Sequence, residues 1–205
     1  MINVEKANIN DLDAIVKIHD SAFPEFFLTS LGDGFLNLYY KSVMNSSEGI
    51  LLVCKSDKDI IGFCAGTLLS SGFNSRLIKK NLLNYMGQGI KLLFTHPVRI
   101  WHLYKNLSKE NPDVGDNGEY AELLSIGVDP NKQGSGAGKK MLLALEEEVK
   151  ERGGSKLSLT TDYENNEKAI GFYHSLGYNE WYDFLTFPNR RMYRMLKQLK
   201  NEATI

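Results

Sequence analysis

One short stretch, residues 120–139 with the sequence YAELLSIGVDPNKQGSGAGK, constrains this chain more than any other. It predicts a β-strand over residues 121–128, a turn at 129–131, a glycine-rich loop and a helix that begins near Lys139. At such a junction, free backbone N–H groups and the positive end of the helix dipole face the same point. The stretch therefore predicts a binding site for a phosphorylated ligand.

Two common phosphate-binding loops do not fit the spacing of these glycines. A Walker A loop would need glycine where Gln133 stands and a hydroxyl residue where Lys140 stands. A dinucleotide-binding fingerprint would need its third glycine where Lys139 or Met141 stands. A glycine-rich turn without a ligand remains as a structural alternative.

A third pattern fits, and a second segment supports it. Gln133, Gly136 and Gly138 form Gln-x-x-Gly-x-Gly between a strand and a helix, and residues 166–178 follow with the sequence NEKAIGFYHSLGY. That second segment has the form Asn-x-x-Ala-x-x-x-Tyr-x-x-x-Gly-aromatic. Together the two segments resemble the acetyl-coenzyme A site of the GNAT N-acetyltransferase superfamily, and the resemblance covers the whole chain except residues 71–117.

The order of the predicted elements agrees with this resemblance. Hydrophobic periodicity predicts a strand, two helices, three strands, a helix, a strand, a helix and two strands, which is a mixed α/β (α+β) class. The resemblance implies a central, mostly antiparallel sheet that is splayed at the coenzyme site, with helices on both faces. We expect one domain over residues 1–205, with residues 71–117 as a helical insertion broken at Gly87, Gly89 and Pro97.

The resemblance also implies which residues hold acetyl-CoA. Backbone N–H groups of the loop would bind the pyrophosphate, because glycine allows close approach. The strand before the loop would be bulged and would supply N–H groups for the pantetheine and the thioester carbonyl. Asn166, or its neighbour Asn165, would bond the pantetheine or cap its helix. The predicted cofactor-binding residues are Ile126, Gly127, Val128, Gln133, Gly134, Ser135, Gly136, Ala137, Gly138, Lys139 and Asn166.

Two side chains are predicted to transfer protons. Tyr173 matches the family tyrosine that protonates the departing thiolate as a general acid. Glu122 occupies the position, six residues before Val128, where some members have a catalytic glutamate, and burial beside an apolar pocket would make it a stronger base. The alternatives to Glu122 are a water chain or one of three other side chains, Tyr120, Asp162 and Glu164.

The acceptor is expected opposite the coenzyme, where the join between the first two helices meets the last hairpin. The predicted substrate-binding residues are Glu25, Phe26 and Phe27, and the hairpin adds Trp181, Tyr182, Phe184 and Phe187. Core packing is the alternative for most of these rings. The insertion would cover the acceptor site, form a homodimer contact or lie on a membrane surface, and glycine and proline argue against the last.

We therefore expect transfer of an acetyl group from acetyl-CoA to a primary amine of a small molecule, such as an amino sugar, an amino acid or a polyamine. No Gly-x-Ser-x-Gly motif or Cys/His dyad is present, so direct transfer in a ternary complex is expected. The alternatives are a protein N-terminal or lysine acetyltransferase and a non-catalytic CoA-binding module.

Composition and residue spacing also predict which partners, metals and location the protein has. A net charge of -1 gives no electrostatic case for nucleic acid, and the four histidines do not have metal-ligand spacing, so no metal is expected. No apolar run approaches about 20 residues, so no stable membrane insertion is expected. Cys54 and Cys64 lie in apolar runs and predict buried thiols, and the N-terminus lacks a signal pattern, so a cytoplasmic setting is expected.

Overall fold

A computed structural model describes residues 2–57, 59–95, 114–186 and 189–199 of the chain. Its centre is a seven-stranded sheet in the order β1-β2-β3-β4-β5-β7-β6, in which neighbours are antiparallel except for the parallel pair β4–β5. The strands are β1 (Ile2–Lys6), β2 (Gly49–Ser56), β3 (Asp59–Thr67), β4 (Ala121–Val128), β5 (Lys156–Asp162), β6 (Asn179–Thr186) and β7 (Arg190–Gln198).

Helices cover both faces of this sheet. Within the described residues they are α1 (Leu12–Ala22), α2 (Phe27–Ser30), α3 (Asp33–Met44), α4 (Phe73–Lys80), α5 (Leu82–Thr95), α6 (Ala137–Glu151) and α7 (Glu167–Ser175). Helices α1 and α3 pack on one face, where Ile15, Leu36 and Tyr40 lie against Phe63. Helices α6 and α7 pack on the other. The predicted mixed α/β fold, with a mostly antiparallel sheet between two helical layers, is confirmed.

The insertion contributes α4 and α5, which pack against α3. Leu77 of α4 is buried with Val43 of α3, and the rings of Tyr85 and Phe35 lie 5.7 Å apart between α5 and α3. None of the helices in the described ranges is long and apolar enough to cross a membrane. Helical spacing also predicts a helix over residues 98–107. This segment lies outside the described residues, as do Pro97, His96 and His102.

Two details of the helices differ from the prediction. Gly87 and Gly89 do not break a helix, because α5 runs through both. Each glycine costs a helix about 1 kcal/mol, which packing of the same helix through Tyr85 offsets. Helical spacing in α3 also predicts that Phe35, Leu38, Tyr39 and Val43 are buried. Phe35 and Val43 are buried, but Leu38 and Tyr39 are only partly so, and Leu36 and Tyr40 are fully buried instead.

Candidate functional site

A gap opens in the sheet between β4 and β5. The two parallel strands pair at only three positions, from Ala121 opposite Leu157 to Leu123 opposite Leu159. Beyond Leu123 the strands separate, although β4 continues to Val128. The predicted splay is therefore present, and it leaves the second half of β4 unpaired on its β5 side.

A bulge lies where the strands begin to separate. Ala65 of β3 pairs with Ser125, but the next residue, Gly66, pairs with Leu123, so Leu124 is one extra residue on β4. A bulge of this kind bends a strand and increases its local twist. The predicted irregularity of β4 is therefore observed, and it lies at the start of the gap.

The hydrogen bonds between β3 and β4 show which way the β4 amides point after the bulge. The N–H of Asp129 donates to the carbonyl oxygen of Ile61 at 2.9 Å, so Asp129 and Ile61 are a hydrogen-bonded pair. In an antiparallel ladder such pairs alternate with non-bonded ones. The N–H of Gly127 therefore faces β3, whereas the N–H groups of Ile126 and Val128 face the gap.

The glycine-rich loop follows directly. Gly134 and Gly136 have φ values of +77° and +83°, in the left-handed region that favours glycine, and a Cβ at either position would meet no atom within 4 Å. Helix α6 begins at Ala137, two residues earlier than predicted, with Gly136 as its N-cap. The N–H of Lys140 donates to the carbonyl oxygen of Gly136 at 3.1 Å, so the amides before Lys140 precede the helical hydrogen bonds of α6.

Helix α7 flanks this loop and holds Tyr173. A Cβ on Gly138 would lie 3.8 Å from the ring of Phe172, which places α7 against the start of α6. Tyr173 itself is 8% exposed, and burial raises the pKa of its phenol, with a further contribution from Cys64. Cys64 lies opposite Ile126 in the β3–β4 ladder. The protonated phenol of Tyr173 therefore lies near the strand that lines the gap.

Asn166 is the N-cap residue of α7, but its side chain makes no bond to the helix. Its side-chain amide donates to the hydroxyl of Thr161 at 2.7 Å and to the carbonyl oxygen of Asp162 at 3.1 Å. A side-chain cap, one of its two predicted roles, is therefore not observed, and a bond to the pantetheine stays a prediction. Asn165 beside it has a φ of +54°.

Glu122 lies on the opposite face of the sheet, in a polar contact. Arg194 of β7 forms an ion pair with its Oε1, and the hydroxyl of Ser70 donates to its Oε2 at 2.5 Å. The side chains of Glu122 and Arg194 are 16% and 15% exposed. The surroundings of Glu122 are therefore not apolar as predicted, because a guanidinium and a hydroxyl contact its two oxygens.

Asp116 connects the same arginine to the last hairpin. The hydroxyl of Tyr182 donates to its Oδ2, and so does the hydroxyl of Tyr120 at 2.7 Å. Burial alone would raise the pKa of Asp116, but these bonds, the N–H of Gly118 and the nearby Arg194 lower it. Burial and the Asp116 contact raise the pKa of Tyr182 to about 12. The segment before β4 is thus bonded to β6 through Asp116 and Tyr182.

The helical join and the hairpin meet as predicted, but not through every predicted residue. The guanidinium of Arg190 lies 4.4 Å from the centre of the Phe26 ring and forms a two-point ion pair with Asp162 at the end of β5. Glu25 is exposed, and Phe27 packs in the cluster around Phe35. Phe187 lies outside the described residues.

A buried histidine stands behind β4 on the acceptor face. His19 is 1% exposed, and its Nδ1 lies 2.6 Å from the hydroxyl oxygen of Tyr40. Its Nε2 has no hydrogen-bond partner among the described residues, and burial lowers its pKa to about 4. The rings of Phe23 and Phe63 lie next to it and cover Gly127, where a Cβ would be 2.7 Å from Phe63.

The sequence prediction missed Arg194 and His19, although each leaves a trace. Arg194 comes two residues after Met192, which is buried, so both side chains lie on the same face of the strand. The strand periodicity therefore indicates an arginine on a buried face. His19 lies four residues after Ile15, on the apolar stripe of α1. Ser70 has no such trace. Within the described ranges, no group of three or more His, Cys, Asp or Glu side chains is placed to hold a metal ion.

Comparison with known proteins agrees with this geometry. Residues 12–178 match the model of the Acetyltransferase (GNAT) family. The mycothiol acetyltransferase of Kocuria rhizophila is 33% identical over 75 residues, which cover 37% of this chain and 24% of that relative. The chain thus matches only about a quarter of the length of that protein.

Solved structures resemble the whole chain at low identity. The ribosomal-protein-S18-alanine N-acetyltransferase from Escherichia coli aligns with a TM-score of 0.60 at 18% identity, covering 100% of this chain and 99% of that one. The yncA protein from Salmonella typhimurium, solved with its cofactor acetyl-CoA, aligns with a TM-score of 0.63 at 17% identity, covering 100% and 98%. The splayed strands, the glycine-rich loop and the family match lead to one conclusion: the chain belongs to the GNAT family of acetyltransferases, which use acetyl-CoA.

Proposed function

We propose that this protein transfers the acetyl group of acetyl-CoA to a primary amine of a small molecule. The observation that supports this most strongly is the gap beside β4, which lies directly before the glycine-rich loop and the start of α6. One continuous segment thus offers amides for a thioester and amides for a pyrophosphate. Cytoplasmic location and a homodimer contact of the insertion remain predictions.

The donor side fits acetyl-CoA in shape and in hydrogen-bond donors. The open space around Gly134 and Gly136 leaves room for phosphate oxygens, and the amides from Gly134 to Lys139 would bind them. The N–H groups of Ile126 and Val128 would bond the pantetheine and the thioester carbonyl. Within the predicted set, the side chain of Asn166 instead holds the end of β5 in place.

Two side chains would complete the reaction on opposite faces of the sheet. The amine nitrogen would attack the thioester carbon, so that a C–N bond forms and the C–S bond breaks. Glu122 would take the proton released by the amine, and Tyr173 would give its phenol proton to the departing thiolate. Asp162 is the second candidate base, and it is held by Arg190 as Glu122 is held by Arg194.

The surroundings of Glu122 favour a small acceptor over a protein. The Asp116 contact with Tyr182 closes one side of this region, and the insertion helices pack beside α3 on another. The Kocuria rhizophila relative is called a mycothiol acetyltransferase, but the short match supports the donor rather than that acceptor. A protein N-terminus, a lysine side chain and a module without turnover are outcomes that the experiment must separate.

Release of CoA thiol from acetyl-CoA, measured with a panel of small amines and a peptide, tests the proposal. We expect turnover with one or more small amines, and Tyr173→Phe should lower kcat roughly 10³-fold while the acetyl-CoA dissociation constant stays unchanged. Tyr193→Phe on β7 is the matched control and should retain kcat. Binding of acetyl-CoA without turnover of any amine would identify a binding module, and turnover of the peptide alone would identify a protein acetyltransferase.

A further inference from the structure

The insertion has a charge balance unlike that of the rest of the chain. Residues 71–109 contain seven Lys or Arg and no Asp or Glu, whereas the whole chain has 24 basic and 25 acidic residues. Of the described cations, Arg76 is paired with Glu48, and Lys79 and Lys80 are exposed at the end of α4. A block of charge of one sign attracts a surface or partner of the opposite sign. The insertion is therefore suited to an anionic partner.

An apolar face follows these lysines along the chain. Leu82, Leu83 and Met86 of α5 are 50%, 83% and 51% exposed. Helix positions i, i+1 and i+4 lie within about a third of the circumference, so these side chains share one side of α5. Tyr85 points to a different side, where its ring packs against Phe35 of α3. The packing of α5 on α3 therefore leaves three large apolar side chains in solvent.

The glycines that argue against a membrane-binding helix do not interrupt this one. Helix α5 is continuous over Leu82–Thr95, through Gly87 and Gly89. A continuous helix with leucines on one side and lysines beside them is typical of segments that lie in the interface of a bilayer. With 14 residues, α5 is too short to cross a bilayer but long enough to lie along its surface.

From these observations we propose that the end of α4 and the start of α5 dock on the surface of a membrane that contains anionic lipids. The lysines would contact the headgroups, and the leucines would enter the boundary between headgroups and acyl chains. This inference does not depend on acetyl transfer, because it concerns a surface outside the site described above.

Two other occupants fit this surface less well. A nucleic acid would attract the lysines, but its phosphates offer no apolar contact to exposed leucines. A second copy of the chain would cover the leucines, but a symmetric contact places the same patch on both subunits and so brings the same lysines together. A lipid surface satisfies both kinds of side chain at once.

Flotation of the full chain with lipid vesicles tests the proposal. Vesicles of phosphatidylcholine with one-third phosphatidylglycerol should bind the protein roughly 20-fold more tightly than pure phosphatidylcholine, because each lysine near an anionic surface contributes about fivefold. Raising the salt from about 0.1 M to about 0.5 M should remove most of this difference, because salt screens the lysines. Absence of binding, equal binding to both kinds of vesicle, or binding that salt does not change would overturn the proposal.

Two variants with matched controls locate the contact. Leu83→Asp puts a carboxylate on the apolar face and should weaken binding to anionic vesicles roughly 10²-fold. Leu143→Asp on α6 is its control, because Leu143 is also an exposed helix leucine, and should leave binding unchanged. Lys79→Glu should weaken binding roughly 20-fold, whereas Lys156→Glu at the exposed start of β5 should change it by less than about threefold.

The same proteins distinguish the membrane from the other occupants. All four substitutions are at exposed positions, so thermal unfolding should match that of the wild type and a loss of binding is not a loss of fold. A dimer that Leu83→Asp dissociates, in a protein that does not float with vesicles, would assign the surface to a second copy. Tighter binding of duplex DNA than of anionic vesicles would assign it to nucleic acid. Either result, or equal losses in the variants and their controls, would overturn the membrane proposal.

Discussion

The donor side and the acceptor side of this protein are built from different kinds of groups. In the proposed reaction the donor would be held by backbone amides, supplied by one run of chain from Ile126 to Lys139. The acceptor would meet side chains from the join, β4, β5 and the last hairpin, where the partner of Glu122 is 72 residues away in sequence. A local chain conformation thus defines the first site, whereas tertiary packing defines the second.

This difference has consequences for charge and for substitution. The described donor segment presents glycines and amides, which do not titrate near neutral pH. The other face of the sheet holds carboxylates that contact arginines, and a buried histidine that contacts Tyr40. Changes on the acceptor side should therefore alter rate and pH dependence and leave donor affinity unchanged, whereas changes in the loop should do the reverse.

Glu122→Gln should have the largest effect that separates the two sides. If Glu122 takes the amine proton, kcat should fall roughly 10²- to 10³-fold. The acetyl-CoA dissociation constant, measured by calorimetry, should stay within twofold. The variant also leaves Arg194 without its closest carboxylate, so the free energy of unfolding should fall by about 3 kcal/mol.

Asp162→Asn provides the control, because it removes the corresponding partner of Arg190 on the same face of the sheet. A larger loss of kcat in Asp162→Asn than in Glu122→Gln would transfer the role of base to Asp162. A loss of acetyl-CoA affinity in Glu122→Gln would show that the two sides are not independent. Combining Glu122→Gln with Arg194→Met should restore part of the stability, because the buried guanidinium is then removed and Asp116 keeps the donors of Tyr120, Tyr182 and Gly118.

The same contrast explains how far the sequence was informative. The glycine loop, the strand before it and the helix segment with Tyr173 were predicted because each is a contiguous pattern with a local conformation. The contact of Glu122 with Arg194 was not predicted, because nothing near Glu122 in sequence indicates what lies across the sheet. The continuous α5 was missed because Gly87 and Gly89 oppose a helix locally, and packing against α3 decides the outcome.

His19 should make stability on the acceptor side depend on pH. Its pKa is about 4 in the folded protein against 6.5 when unfolded, so between these values the unfolded chain binds more protons. Stability is then complete above pH 6.5 and falls as the pH is lowered towards 4, by about 3 kcal/mol in total. Urea unfolding at a series of pH values measures this loss.

Replacement of the ring should remove that dependence. His19→Gln cannot titrate and should flatten the profile between pH 4 and 6.5. Saturation with acetyl-CoA should shift the whole curve upward without changing its shape, because the donor amides do not titrate. A profile that stays steep in His19→Gln would assign the effect to other groups.

The smallest expected effect comes from one methyl group in the loop. Gly136→Ala puts a side chain on a residue with φ of +83°, which costs about 1 kcal/mol and displaces amides that would bind phosphate. Acetyl-CoA affinity should fall about tenfold while kcat at saturating donor is retained. Gly153→Ala matches it, because Gly153 has φ of +84° and equally open surroundings after α6. Equal affinity losses in both variants would mean that strain, not the phosphate site, is responsible.

The bulge at Leu124 also makes β4 sensitive to its length. Ala121–Leu123 are fixed against β5, and the loop is fixed by α6, so the number of residues between them sets which amides face the gap. Deletion of one residue from β4 would have one of two results. Either Ala121–Leu123 would shift along β5, or the amides of Ile126 and Val128 would turn toward β3. The insertion lies outside the sheet, and a change in its length alters no strand register. We therefore expect insertions and deletions to accumulate in α4 and α5 while β4 keeps its length, so that such changes leave the amides beside the gap in place.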